Sequence, residues 1–193
     1  KIEFGLHTIY YYFSPGQAEA FFEVGDALDT FNFRVRPIPA VESAIYLSNE
    51  QKIGTRLSLA YGVRYSGFAQ LGAGWVFKYP NDQPINPENP TSTVNPIDTV
   101  HYEEGEIVKG YHGIEPRFSA NFQIDEFSSV KGGYNRMRQY IHLISNTTAA
   151  TPVDIYMPAG EYIRPAIVDQ VGIGYFRNFF SNTYESSVEV YYK

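Results

Sequence analysis

The residue types that usually carry covalent chemistry are either missing here or spaced so that they cannot use it. Cysteine is absent, which excludes a thiolate nucleophile, a thiolate metal site and a disulfide framework. No serine lies in a strand-turn-helix elbow and no histidine accompanies one in a triad, so no catalytic residue is expected. His101, Glu103, Glu104 and His112 are metal-binding types close in sequence, but their spacing fits no zinc pattern, and the expectation is a solvated acidic loop. Asn81, Asp82 and residues 86–89 lack the ordered acidic loop and turn glycine that hold calcium. Neither a metal nor a cofactor is expected. The chemistry that remains is recognition by cations and amides recurring at every second residue, and by aromatic side chains gathered in the connections.

The recurrence at every second residue identifies the elements that must position these groups. In residues 40–68, Val41, Ser43, Ile45 and Leu47 alternate with Glu42, Ala44, Tyr46 and Ser48, and a turn is expected over 49–54. The return run sets Leu57, Leu59, Tyr61, Val63 and Tyr65 against Arg56, Ser58, Ala60, Gly62 and Arg64. One face is apolar, and the other is polar with two arginines, the signature of an extended strand. A second pair repeats it: Phe118, Ala120, Phe122 and Ile124 oppose Arg117, Ser119, Asn121 and Gln123, a turn falls at 125–128, and Val130 and Tyr134 then oppose Lys131 and Asn135. Strict alternation would put Arg136 and Arg138 on the apolar face, so a bulge or the end of the apolar band is expected at 134–136. The third pair is 169–179 and 184–193. Residues 2–13 supply a first strand without a hairpin partner, which makes seven. These runs exceed the roughly 5 to 6 residues of a globular strand and approach the roughly 9 to 11 needed to cross a bilayer at a barrel's tilt.

Composition narrows the class further. With 15 Lys and Arg against 21 Asp and Glu the net charge is -6, so the electrostatic footprint of a nucleic-acid-binding protein is absent. Tyrosine (17) and phenylalanine (14) far outnumber tryptophan (1), which suits aromatic girdles at two membrane interfaces. No apolar run is long enough for a transmembrane helix, a criterion that alternating barrel strands escape. The turns joining strands within a pair are short, whereas three long connections separate the pairs. The first, 14–39, is read as either a short helix or an extension of its flanking strands. The second, 71–113, carries Trp75, Phe77 and Tyr79, then five prolines between 80 and 96, then Glu103, Glu104 and Glu106; proline excludes a central strand there. The third, 145–165, mixes turn residues with Tyr156 and Tyr162.

Three runs carry a family resemblance: Glu115-Pro116-Arg117-Phe118-Ser119, the stretch from Tyr134-Asn135-Arg136-Met137-Arg138-Gln139-Tyr140 through Thr148-Ala149-Ala150-Thr151-Pro152, and Tyr184-Glu185-Ser186-Ser187-Val188-Glu189-Val190-Tyr191-Tyr192-Lys193. They resemble the barrel of TonB-dependent outer-membrane receptors, in the class whose barrel follows a carboxypeptidase-regulatory-like domain and a plug. The loop from Gly74 to Tyr111 departs most from the family. The resemblance implies an all-β fold: an antiparallel transmembrane β-barrel segment of about seven long strands, with short periplasmic turns and long extracellular loops, within a barrel of about 22 strands. Residues 1–193 would be an interior segment of that single barrel domain, with signal peptide, regulatory domain and plug outside it. The implied function is energised import across the bacterial outer membrane, with no enzymatic activity. The implied partners are outer-membrane lipid, the plug of the same chain, the TonB complex and an imported ligand of unknown identity. On this sequence, Trp75, Tyr79, Tyr102, Tyr156 and Tyr162 would meet ligand, and Arg56, Arg64, Arg117, Gln123 and Lys131 would face the lumen and plug. A plug-free porin-type barrel and a soluble β-sandwich that binds glycans through its loop aromatics are the other readings.

Overall fold

The computed structural model describes residues 1–14, 17–24, 27–34, 36–89, 92, 94–144, 155–180 and 183–193, with backbone only for 17–24, 27–34 and 155. The described elements are β-strands and one 3-10 turn, Pro80–Asp82. In chain order the strands are β1 (Ile2–Phe13), β2 (Gln17–Val24), β3 (Ala27–Arg34), β4 (Ile38–Ile53), β5 (Leu57–Leu71), β6 (Gly74–Lys78), β7 (Asp98–Tyr102), β8 (Ile107–Gln123), β9 (Ser128–Gln139), β10 (Ile141–Ile144), β11 (Ile155–Pro158), β12 (Ala166–Phe179) and β13 (Tyr184–Tyr192).

Seven of them form one antiparallel sheet in the order β1-β4-β5-β8-β9-β12-β13. This is the number of long strands the alternation predicts. The sheet is open: β1 and β13 each pair on one side only. β1, expected to lack a partner, pairs with β4 from Ile2↔Asn49 to Phe13↔Ile38.

Register carries the alternation across the whole sheet. Leu6, Ile45, Tyr65 and Ile114 fall in one row, and Ile2, Asn49, Tyr61, Phe118, Tyr134, Val171 and Tyr192 in another. These rows make one face apolar and uncovered, with Phe4 81% exposed, Ile173 61% and Val190 67%. The opposite face is built from small and polar residues, such as the row Ser48, Gly62, Arg117, Asn135 and Gln170. Two troughs, of about 730 and 590 Å3, lie over that polar side, which is therefore the concave one.

Several boundaries differ from the sequence expectation. The turn expected at 49–54 is tighter: β4 continues to Ile53, which pairs with Leu57, and Gly54 takes a φ of +64° that a residue with a Cβ adopts only with strain. Arg56 therefore sits in the exposed turn just before β5, where its carbonyl accepts the Gln123 N–H at 2.8 Å. The second turn is fixed locally, with Asp125 Oδ1 accepting the Phe127 N–H at 2.8 Å. β8 begins at Ile107, inside the stretch expected to be loop. Irregularity does occur near 134–136: the β8–β9 ladder ends at Arg117↔Asn135, next to Pro116, which has no N–H to offer. Beyond it only Arg136 stays on the apolar face, where Asp169 pairs with it at 2.7 and 2.8 Å. The Arg138 guanidinium lies against Gly113 on the polar face instead.

The long connections differ most: the first two contain the hairpins β2–β3 and β6–β7, and the third joins β10, which lies just before it, to its partner β11. Phe13 pairs with Ile38 and Gln17 with Arg34. Four residues on one arm thus answer four on the other, and β2–β3 continues the β1–β4 register without slip. The helical reading of 14–39 falls, and the strand-extension reading stands. Prolines 80, 84, 87 and 96 do interrupt the ladder as expected, lying in the tip beyond β6, where the Ile97 N–H closes the neck onto the Lys78 carbonyl at 2.8 Å; the fifth, Pro90, lies outside the described residues. The start of the third connection, 145–154, lies outside the described residues.

Candidate functional site

The polar face and the hairpins meet at the loop end of the sheet, and the buried side chains concentrate there. Ala40, Phe68, Tyr140 and Ala159 form a small core, with Tyr11, Phe13 and Tyr111 packed against it. The Tyr140 ring stacks on Phe68 at 5.0 Å with planes 5° apart. Beneath this pair, the Ser66 hydroxyl donates to Glu115 Oε1 at 2.5 Å. A serine has one proton to give, so the Tyr140 hydroxyl, 2.8 Å away, must be the donor to Ser66. Glu115 also faces Arg64, whose Nη2 donates to Glu42 Oε1 at 3.2 Å, and the Tyr11 hydroxyl donates to Glu42 Oε2 at 3.3 Å. Burying a carboxylate among apolar rings is costly unless it is bonded, and this one is.

The loop aromatics expected to meet ligand divide between surfaces. Tyr79 and Tyr162 come together, with ring centroids 5.6 Å apart and edge to face. Trp75 lies on the exposed side of the β6–β7 hairpin, 60% exposed, against His101 at 4.5 Å and beside Phe77. Tyr102 is half-buried on the opposite side of that hairpin. Tyr156 is exposed on β11, opposite Leu143. Of the residues expected to face the lumen, Arg64, Arg117, Gln123 and Lys131 share the polar face. Arg64 is held by two carboxylates of neighbouring strands, and the Lys131 ammonium sits 4.4 Å from the Phe176 ring centre. Arg117 remains exposed over the larger trough.

One junction had no sequence signature. Glu161 Oε1 bonds Lys78 Nζ at 2.9 Å and Oε2 faces Lys109 Nζ at 3.5 Å, with the carboxylate side chain only 13% exposed. Burial pushes the Glu161 carboxyl up, but the Lys78 hydrogen bond and the two positive charges outweigh it and hold it below the usual range. The same hydrogen bond raises Lys78. These residues are isolated charges in three different elements, and periodicity cannot pair them. His101 and His112 are separated as well: His101 accompanies Glu103 at 3.5 Å, while His112 lies near Tyr65 on the apolar face of the wall. No metal-binding group of three or more His, Cys, Asp or Glu occurs among the described residues.

The sheet and site define a class in geometric terms only: an antiparallel wall, oily on one side, with paired hairpins at one end. No protein-family model, no curated protein and no solved structure matches this chain.

Proposed function

We propose that this chain is part of the wall of an outer-membrane β-barrel, of the TonB-dependent receptor kind, that imports a ligand met by its extracellular loops. The observation that carries the reading is the uncovered apolar face spanning all seven strands, opposed by a concave polar one. In water such a face exposes far more contiguous apolar surface than a soluble protein tolerates; in a bilayer it is solvated. Strands of 16, 15, 17 and 14 residues in β4, β5, β8 and β12 are long enough to cross the hydrocarbon and project beyond it. A β-sandwich would cover the apolar face with a second sheet, and none of the described strands does so.

In this reading the short turns at Gly54 and 124–127 and the end of the sheet where β12 gives way to β13 are periplasmic, and the three hairpins are extracellular. The polar face then looks onto the plug, with Arg117 and Lys131 available to its carboxylates. The Arg136–Asp169 pair sits three residues from the loop end of β12, where an outward charge costs little compared with the roughly 2 to 4 kcal/mol at mid-depth. The two free edges are completed by further strands of the same barrel.

The test uses the full-length parent protein. It is expected in the outer-membrane fraction, migrating faster on gels before heating than after. In planar bilayers it should conduct steadily only once the plug has been removed. Steady conductance by the intact protein would establish the porin alternative, and recovery from the soluble fraction would overturn both.

A further inference from the structure

Two of the long connections, 72–106 and 140–165, are far apart in sequence yet joined at one short segment, 159–162. The register explains why that segment exists. Gln139 pairs with Ala166 and Ile141 with Pro158. Two steps on one arm thus face eight on the other, and the six residues left over all fall between β11 and β12. An unpaired insertion in a hairpin normally loops into solvent. This one turns inward. The Ala159 N–H donates to the Tyr140 carbonyl at 2.6 Å, and the Tyr111 hydroxyl donates to the Gly160 carbonyl at 2.7 Å. Ala159 is fully buried, and a Cβ at Gly160 would strike the Gln70 side chain, so the segment lies closely on the polar face of the wall.

From this seat it reaches the other connection in three ways. Glu161 bonds Lys78 at the end of β6, the Tyr162 hydroxyl donates to the Phe77 carbonyl at 2.6 Å, and the Tyr162 ring meets Tyr79. The second Glu161 oxygen engages Lys109 on β8. One carboxylate therefore ties together the wall, the β6–β7 hairpin and the segment that carries it. The geometry points to Glu161 as a latch that joins the β6–β7 hairpin and the segment 159–162 into a single body on this part of the wall. Opening either connection requires giving up the Glu161–Lys78 pair and the Tyr162 contacts, so opening one removes what holds the other and ordering one favours ordering the other. The inference does not depend on the surroundings of the wall, since it concerns only how two segments above it are coupled.

The experiment is amide hydrogen exchange on the full-length protein, comparing wild type with Glu161→Ala. The expected result is about tenfold faster exchange in 74–78 and 98–102 as well as in 159–163, with β4, β5 and β12 unchanged. Acceleration confined to 159–163, or none, overturns the latch. If Glu161→Ala fails to assemble, Lys78→Met reports the same coupling from the other side, and unchanged exchange in 159–163 would equally overturn it. In a Lys109→Gln background, exchanging the partners as Lys78→Glu with Glu161→Lys should return both segments toward the slow rates of that background. Failure to do so would show that the contact is not an ion pair holding the segments together.

Discussion

Leu59 and Ser58 are neighbours in sequence that point to opposite sides of the wall, so they test the face assignment at its finest grain. Val63→Arg, near the middle of β5, is expected to sharply reduce assembled protein in the outer membrane, by the roughly 2 to 4 kcal/mol of a mid-depth lipid-facing cation, and Leu59→Arg, two residues from the turn end, to reduce it less. Ser58→Arg should assemble, and equal yields of Val63→Arg and Ser58→Arg would overturn the face assignment. Alternation alone would also nominate Gly62 as a tolerant inward position, but a Cβ there would lie 2.7 Å from the Leu47 carbonyl and 2.8 Å from the Ser48 Cβ. Its requirement is close backbone approach, which hydropathy does not reveal. Acidity acts at the same scale through Glu161. Its folded carboxyl titrates below its unfolded value, so the latch's contribution is complete at neutral pH and is lost as pH falls through the depressed value. Once the intrinsic slowing of amide exchange in acid is divided out, protection in 74–78 and 159–163 should therefore fall together on acidification, and Glu161→Gln should flatten that response.

At the scale of elements, the closed neck of the β6–β7 hairpin separates what lies beyond it from what lies below. Because Ile97 already bonds Lys78, replacing 80–96 with a short glycine turn should leave the wall's heat-modifiable migration unchanged while abolishing ligand uptake. Unchanged uptake would remove that tip from the binding surface. The long wall strands were legible because each alternates for many residues with a face to bury, and a period of two then leaves little freedom. The extensions were not. β6 is five residues long and follows glycines, and the 74–78 run reads as aromatic loop until its partner 98–102 is known. Alternation assigns a side chain to a face but not to a neighbour. The polar faces holding Ser66 and Glu115 could be read from the sequence, whereas their bond to each other and to Tyr140 could not. The position of the first turn was not legible either, since the polar residues 49–52 pair within the ladder and the turn falls at 54–56.

For the whole molecule, the apolar face and the two one-sided edge strands make residues 1–193 on their own unsuited to water. Expressed alone, the segment is expected to aggregate and to be rescued by detergent; a soluble monomer by light scattering would contradict the barrel-wall reading. The strand order has a further consequence, for biogenesis. Every member of the large sheet bonds only the members immediately before and after it along the chain. Each strand can therefore be stitched onto a finished neighbour as the polypeptide is delivered, with no wait for distant sequence and no threading through what is already built. A wall laid down stave by stave in this way can be lengthened or shortened by one hairpin without disturbing the rest of its order.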